Sequence, residues 1–245
     1  MKKVLAAAIL CTVSAFAAWD KFPVIEDGKG EAKISWGQSR QGSEDGGPSM
    51  GFIKVRYSPL ANLELTSQVY GDVLANYVLG ARYQIIPVLS AGVDIGFPLS
   101  ESAIWSFKPN LQFSMPLTSS LTLGSNFDLA IYTESPERSG KYGRGLDFTG
   151  GIEFDLAITE KSTIWVGFDA ATGVSRSKLD GEPSDGFPLY WDERGLKLSP
   201  ALGYIATLGN LDLGTYVQLD FGEKDRANES KPFNTAVAVE ASVRF

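Results

Sequence analysis

Between Gly30 and Phe245, apolar and polar residues alternate one for one in run after run. A β-strand sends successive side chains to opposite faces, so each run sorts into one apolar and one polar face. Trp105, Phe107, Pro109, Leu111, Phe113 and Met115 share one face, with Ser106, Lys108, Asn110, Gln112 and Ser114 on the other. Ala91, Val93, Ile95 and Phe97 oppose Gly92, Asp94 and Gly96. At the end of the chain Val237, Val239, Ala241, Val243 and Phe245 oppose Glu240, Ser242 and Arg244. The pattern predicts twelve strands, at roughly 30–37, 50–58, 61–70, 75–84, 88–97, 104–115, 120–131, 145–157, 162–171, 196–206, 211–221 and 234–245.

A soluble sandwich of two sheets alternates in the same way. Three features favour a closed barrel in a membrane. Many runs last about 9 to 12 residues, which suits a tilted strand crossing a bilayer, whereas soluble strands average about 5 to 6. The connections also alternate in length. Pro59-Leu60, Ile85 to Pro87, Pro116 to Ser119, Ile158 to Lys161 and Thr207 to Asn210 are short. Gln38 to Ser49, Tyr132 to Arg144, Thr172 to Gly195 and Gly222 to Phe233 are long and polar. Short turns on one rim and long loops on the other are the outer-membrane arrangement, and a sandwich has no reason to sort its loops so. Finally, the polar face carries charges at mid-strand, including Lys54, Arg56, Glu64, Arg82, Asp94, Lys108, Asp128, Glu153 and Asp169, while the apolar face carries almost none. Lipid imposes that asymmetry, because an Arg or Lys facing it at the midplane costs about 2–4 kcal/mol. Aromatics near the strand ends fit two interfacial girdles. Trp36, Tyr77, Phe97, Trp105, Phe148 and Phe221 fall toward the long-loop rim, and Tyr57, Tyr83, Phe154, Tyr204 and Phe245 toward the other.

The first residues read as a targeting segment. Lys2 and Lys3 precede the apolar run Val4 to Val13, and Ala15-Phe16-Ala17 supplies a small-x-small cleavage pattern. The expected organisation is a signal peptide over 1–17, a leader over 18–29 and a barrel over 30–245. Cleavage moves the formal charge from -7 to -9 and removes Cys11, the one cysteine, so disulfides and thiolate metal sites are not expected. Leu10 stands where a lipoprotein would need a small residue. The leader, with Trp19, Phe22, Pro23, Val24 and Ile25, fits either a periplasmic tail or a segment folded into the lumen.

The chain has no histidine. Ser-His-Asp catalysis, imidazole acid–base chemistry and histidine-ligated zinc are therefore excluded. Asp147, Glu153 and Asp155 line one polar face, but inward carboxylates more often belong to a pore lining than to a catalytic pair. The acidic loop clusters Glu44-Asp45, Asp180 to Glu182 and Asp185 lack a complete calcium-loop spacing and read as solvated turns. No enzymatic activity and no cofactor are expected. The acidic balance argues against a nucleic-acid partner.

The segment Ala238-Val-Glu-Ala-Ser-Val-Arg-Phe245 resembles the assembly signal that ends Gram-negative outer-membrane β-barrel proteins, with Phe245 as terminal aromatic and Val243 two positions before it. Glu240 departs from it, where many members carry glycine. Together with the even strand count, the resemblance covers about 30–245, and the size is similar to that of twelve-stranded acid-sugar channels and transporters. It implies an all-β fold, a single closed antiparallel transmembrane barrel in the outer membrane. Its implied partners are outer-membrane lipid and lipopolysaccharide, the barrel-assembly machinery and a small polar solute. The function expected is porin-like passive passage of such solutes. The alternative is a structural or adhesive barrel working through its long loops.

Candidate pore-lining residues are Lys54, Arg56, Arg82, Lys108, Asp128, Glu153, Asp169 and Asp220. Of the inward cations, with Lys33, Lys197 and Arg244 added, most lie on the twelfth, first, second, fourth and sixth strands, which wrap around the closing seam. Inward anions, with Asp147, Asp155 and Asp212 added, gather on the seventh to ninth and eleventh strands. The expected result is a basic wall facing an acidic wall, with a transverse field between them.

Overall fold

The computed structural model describes residues 24–41, 49–70, 76–99, 105–132, 145–175, 190–191, 196–222 and 234–245. The expected signal peptide, the leader up to Pro23 and most of each long loop lie outside these residues. So do the acidic loop clusters.

Twelve strands form one antiparallel ring: β1 (Gly30–Gln41), β2 (Ser49–Leu60), β3 (Leu63–Tyr70), β4 (Asn76–Ile86), β5 (Leu89–Pro98), β6 (Ser106–Pro116), β7 (Leu121–Tyr132), β8 (Gly145–Thr159), β9 (Ser162–Ser175), β11 (Lys197–Leu208), β12 (Leu211–Asp220) and β13 (Asn234–Arg244). A two-residue strand, β10 (Tyr190–Trp191), pairs with Ser175 and Val174 of β9, continuing that edge beyond the start of β11. Each long strand pairs with its sequence neighbours, and β1 pairs with β13 to close the circle. Closure is what lipid demands, since it offers no partner to an open edge. No helix among the described residues is long and apolar enough to cross a membrane.

Side-chain burial is inverted relative to a soluble protein. Ile34, Trp36, Ile53, Leu111, Phe127, Leu202, Val239 and Phe245 lie exposed on the outer surface. Arg56, Glu31, Glu64, Ser58 and Ser90 are the largest fully buried side chains. The faces are those read from the alternation. On the outside, Tyr77 lies 6.2 Å from Phe97, and Phe97 meets Trp105 edge-on at 4.9 Å, giving a continuous row of the expected upper girdle.

Strand ends differ from expectation where turn chemistry deceives. Pro59 suggests a turn at Pro59-Leu60, yet β2 runs on to Leu60 and the turn is Ala61-Asn62, with Asn62 in the left-handed region at φ 66°. A register shift between Tyr57 and Leu60 absorbs the proline, which has no N–H to give the ladder. The Ser58 hydroxyl then donates across the kink to the Leu60 and Leu63 carbonyls, at 3.0 and 2.9 Å. The next short turn is likewise displaced, to Pro87-Val88. On the long-loop side, β1 and β9 extend farther than their alternation suggests, to Gln41 and Ser175.

The seam is closed at Phe245. Gly30 N–H donates to Phe245 O at 2.8 Å, and Phe245 N–H donates to Gly30 O at 2.9 Å. The Phe245 ring lies over Gly30 on the outer face, where a Cβ would collide with it. Just before β1, Gly28 N–H donates to Ser58 O and Ser58 N–H to Lys29 O, which prolongs the β1–β2 ladder below the barrel. The chain turns at Asp27-Gly28, and the Ile25 amide donates to the Glu64 carboxylate at 3.2 Å. Glu64 is 0% exposed inside the barrel. The leader therefore turns back so that Ile25 reaches the lumen, while residues 26–29 stay exposed at the rim, and the tail-like alternative does not hold for Ile25.

Candidate functional site

The lumen is built from the inward half of each alternation. Lys54, Arg56, Arg82, Lys108, Asp128, Glu153, Asp169 and Asp220 all fall on the inward register of their strands. The assembly-signal residues Val243 and Phe245 face outward and are exposed.

On β1 to β6 the inward charges interlock. Arg56 Nε lies 3.1 Å from Glu31 and Arg56 Nη1 3.5 Å from Glu64. Glu64 also takes Arg82 at 3.1 Å, so one carboxylate bridges two guanidinium groups on neighbouring strands. Arg82 Nε donates onward to Asn110 at 3.5 Å, and Asn110 donates to Asp94 at 3.1 Å. Across the seam, Lys33 pairs with Glu240 at 2.7 Å and sits 5.5 Å from the Phe52 ring centre. Register explains the network: Glu31 is opposite Arg56, and Glu64 is opposite Arg82. Buried charges of this kind hold only when paired and hydrogen-bonded.

This corrects the expected basic wall. The cations are there, but Glu31, Glu64, Asp94 and Glu240 stand among them on the same arc. Arg56 is 1% exposed, and its charge is met within the wall. A uniform positive surface facing the lumen is therefore not what β1 to β6 present. The acidic side is closer to expectation. Asp128, Glu153, Asp155, Asp169, Asp212 and Asp220 face inward on β7, β8, β9 and β12. Lys197 pairs with Asp220 at 3.0 Å and Arg244 with Asp212 at 3.1 Å. Ser199 and Gln218 also donate to Asp220, at 2.7 and 2.9 Å. Asp147 lies on the inward register of β8, opposite Gly173.

The alternation passes over one feature on this second arc. Trp165 of β9 and Tyr216 of β12 occupy inward positions and are partly exposed, with ring centres 5.6 Å apart and planes at 51°. Between their strands, Gly203 of β11 is opposite both residues. A Cβ at Gly203 would collide with the Trp165 indole, and one at Gly167 would come within 3.3 Å of it. The indole lies flat against a glycine floor. Parity alone could have found the pair: each is an aromatic on the polar side of its run, between outward Val166 and Ile164 or Val217 and Thr215.

Among the described residues no group of three or more His, Cys, Asp or Glu side chains is placed to hold a metal ion.

The profile of a family described as "Putative MetA-pathway of phenol degradation" matches residues 34–231. No curated protein matches the sequence. Among solved structures, an outer membrane channel from Pseudomonas putida F1 is similar over 94% of this chain and 99% of its own, with a TM-score of 0.67 at 12% identity. The NanC porin is similar over 86% of this chain and 98% of its own, with a TM-score of 0.57 at 10% identity. The KdgM porin is similar over 87% and 99%, with a TM-score of 0.53 at 14% identity. At such identities the likeness is one of fold, that of a twelve-strand outer-membrane barrel. The profile match spans most of the chain, and on it the protein belongs to the putative MetA-pathway of phenol degradation family.

Proposed function

We propose that the barrel is a porin-like channel through which small polar solutes pass down their gradient across the outer membrane, without catalysis. The observation that carries this reading is the inward face. It holds serine, threonine, asparagine, glutamine and fixed charges from every side of the ring, enclosed by an apolar exterior. A barrel that served only as an anchor could fill its centre with apolar side chains. The similar structures, an outer membrane channel and two porins, agree with transport. The exposed outer face would meet lipid and lipopolysaccharide, and the Val243–Phe245 terminus would be read by the assembly machinery. Purified, refolded full-length protein in planar bilayers should give discrete conductance steps, and liposomes carrying it should admit small polar solutes. Protein-loaded membranes with neither conductance nor solute flux would overturn the proposal.

A further inference from the structure

We propose that Trp165 and Tyr216 form a recognition subsite in the lumen for a small organic cation, such as an aromatic or alkyl quaternary ammonium. The inference deepens the channel reading and rests on it. Three observations support it. First, two aromatic rings are partly exposed on the wet side of a barrel that sends its other large aromatics on these strands, Phe168, Tyr204 and Phe221, to lipid. Turning a tryptophan inward sacrifices its favourable place at the lipid boundary, so a compensating role inside is expected. Secondly, the pair is positioned by neighbouring strands. Gly203 leaves room for the indole to lie back against the wall, and Gly167 flanks it. The rings thus meet the lumen as a tilted surface fixed on three strands and need not be ordered when a solute arrives. Thirdly, the local charge selects the sign of the guest. Asp155 is the cross-strand neighbour of Trp165 in register, and Glu153 is the neighbour of Gly167. Both carboxylates lie on the inward register, nearly buried at 5% and 3% exposure, so they act on a guest through their field rather than by direct contact, and a carboxylate oxygen of Glu153 lies 3.6 Å from where a Gly167 Cβ would stand. The face of an aromatic ring is itself electronegative, so ring and carboxylates act together on a cation and against an anion.

The test uses the full-length refolded protein in planar bilayers with potassium chloride, and benzyltrimethylammonium as the probe. The cation should block current at low millimolar concentration or below, and benzyl alcohol, with the same ring and no charge, should block far less. Trp165→Ala should weaken block by roughly three- to thirtyfold, as expected for loss of a partly desolvated cation–π contact. Tyr216→Leu should weaken it by less, and Trp165→Phe should retain part of it. Trp36→Ala, on the lipid face, should leave block unchanged. Heat-modifiable gel mobility will show that each variant is folded, and Gly203→Ala, which wedges the indole without removing it, serves if Trp165→Ala does not assemble. Equal block by benzyl alcohol, or wild-type block in folded Trp165→Ala, overturns the subsite. If the wild type carries no current, the channel reading fails instead. The subsite is then decided by calorimetric titration of the same probe into detergent-solubilised protein: heat lost in Trp165→Ala supports it, and no heat with wild type overturns it.

Discussion

Two arcs of the inner wall solve the same problem in opposite ways. On β1 to β6, long charged side chains fill the space and neutralise one another, with Glu64 held between Arg56 and Arg82. On β9 to β13 and at the seam, many inward positions are small: Gly167, Ala201, Gly203, Gly214, Ala236, Ala238 and Gly37. Among them stand the Trp165–Tyr216 pair, Ile205, Asp169, Gln218 and the ion pairs of Asp212, Asp220 and Glu240. The first arc behaves as a polar core of interlocked charges, and the second as a wall of small residues against which a few larger groups lie. The difference shows that an inward charge is not by itself a pore charge. A guanidinium locked between two carboxylates contributes to stability more than to permeation.

The largest effect that would break this comparison lies in the packed arc. Glu64→Ala should leave two buried guanidinium groups adjacent and destabilise the barrel by about 3–5 kcal/mol, the usual penalty for removing one partner of a buried pair. Urea titration of the refolded protein would measure it, and a loss under 1 kcal/mol would mean that water already solvates the network. Next, Gly203→Val should cost about 1–3 kcal/mol by overpacking against the indole. The same unfolding experiment applies, with tryptophan fluorescence reporting displacement of the ring. Smaller again is the effect of charge reversal at the partly exposed Lys108 or Lys54. Either should move the reversal potential toward cation selectivity at low salt while changing stability little, and the shift should shrink in 1 M salt, where the screening length falls to about 3 Å. Arg82→Glu, by contrast, should unfold the network before it changes selectivity. The smallest effect belongs to the exterior. Leu213→Ile on the lipid face should alter unfolding by no more than about 0.5 kcal/mol.

Much of the fold is legible in the sequence, because a one-residue slip would turn a whole face inside out. The predicted 145–157 and 211–221 agree closely with β8 and β12 for that reason. Proline deceives at Pro59, since turn propensity is local and the bulge that rescues the strand depends on its partner β3. The inward direction of Arg56 and Arg82 is equally legible, but their neutralisation is not. It depends on which inward residues lie opposite one another, and for Lys33 with Glu240 on a pairing between the two ends of the chain. Trp165 and Tyr216 escape notice for a different reason. Aromatics are common in strands on any face, so their meaning appears only when Gly203 is found beneath the indole.

The reciprocal bonds between Gly30 and Phe245 set an order of events for biogenesis. The latch joins the two strands farthest apart in the chain, so no portion between them can complete the cylinder by itself. Until the latch forms, β1 and β13 each present an unpaired border, which lipid cannot satisfy. An extension fused after Phe245 would leave directly at the joint, where it could hinder latching even though it touches nothing in the lumen.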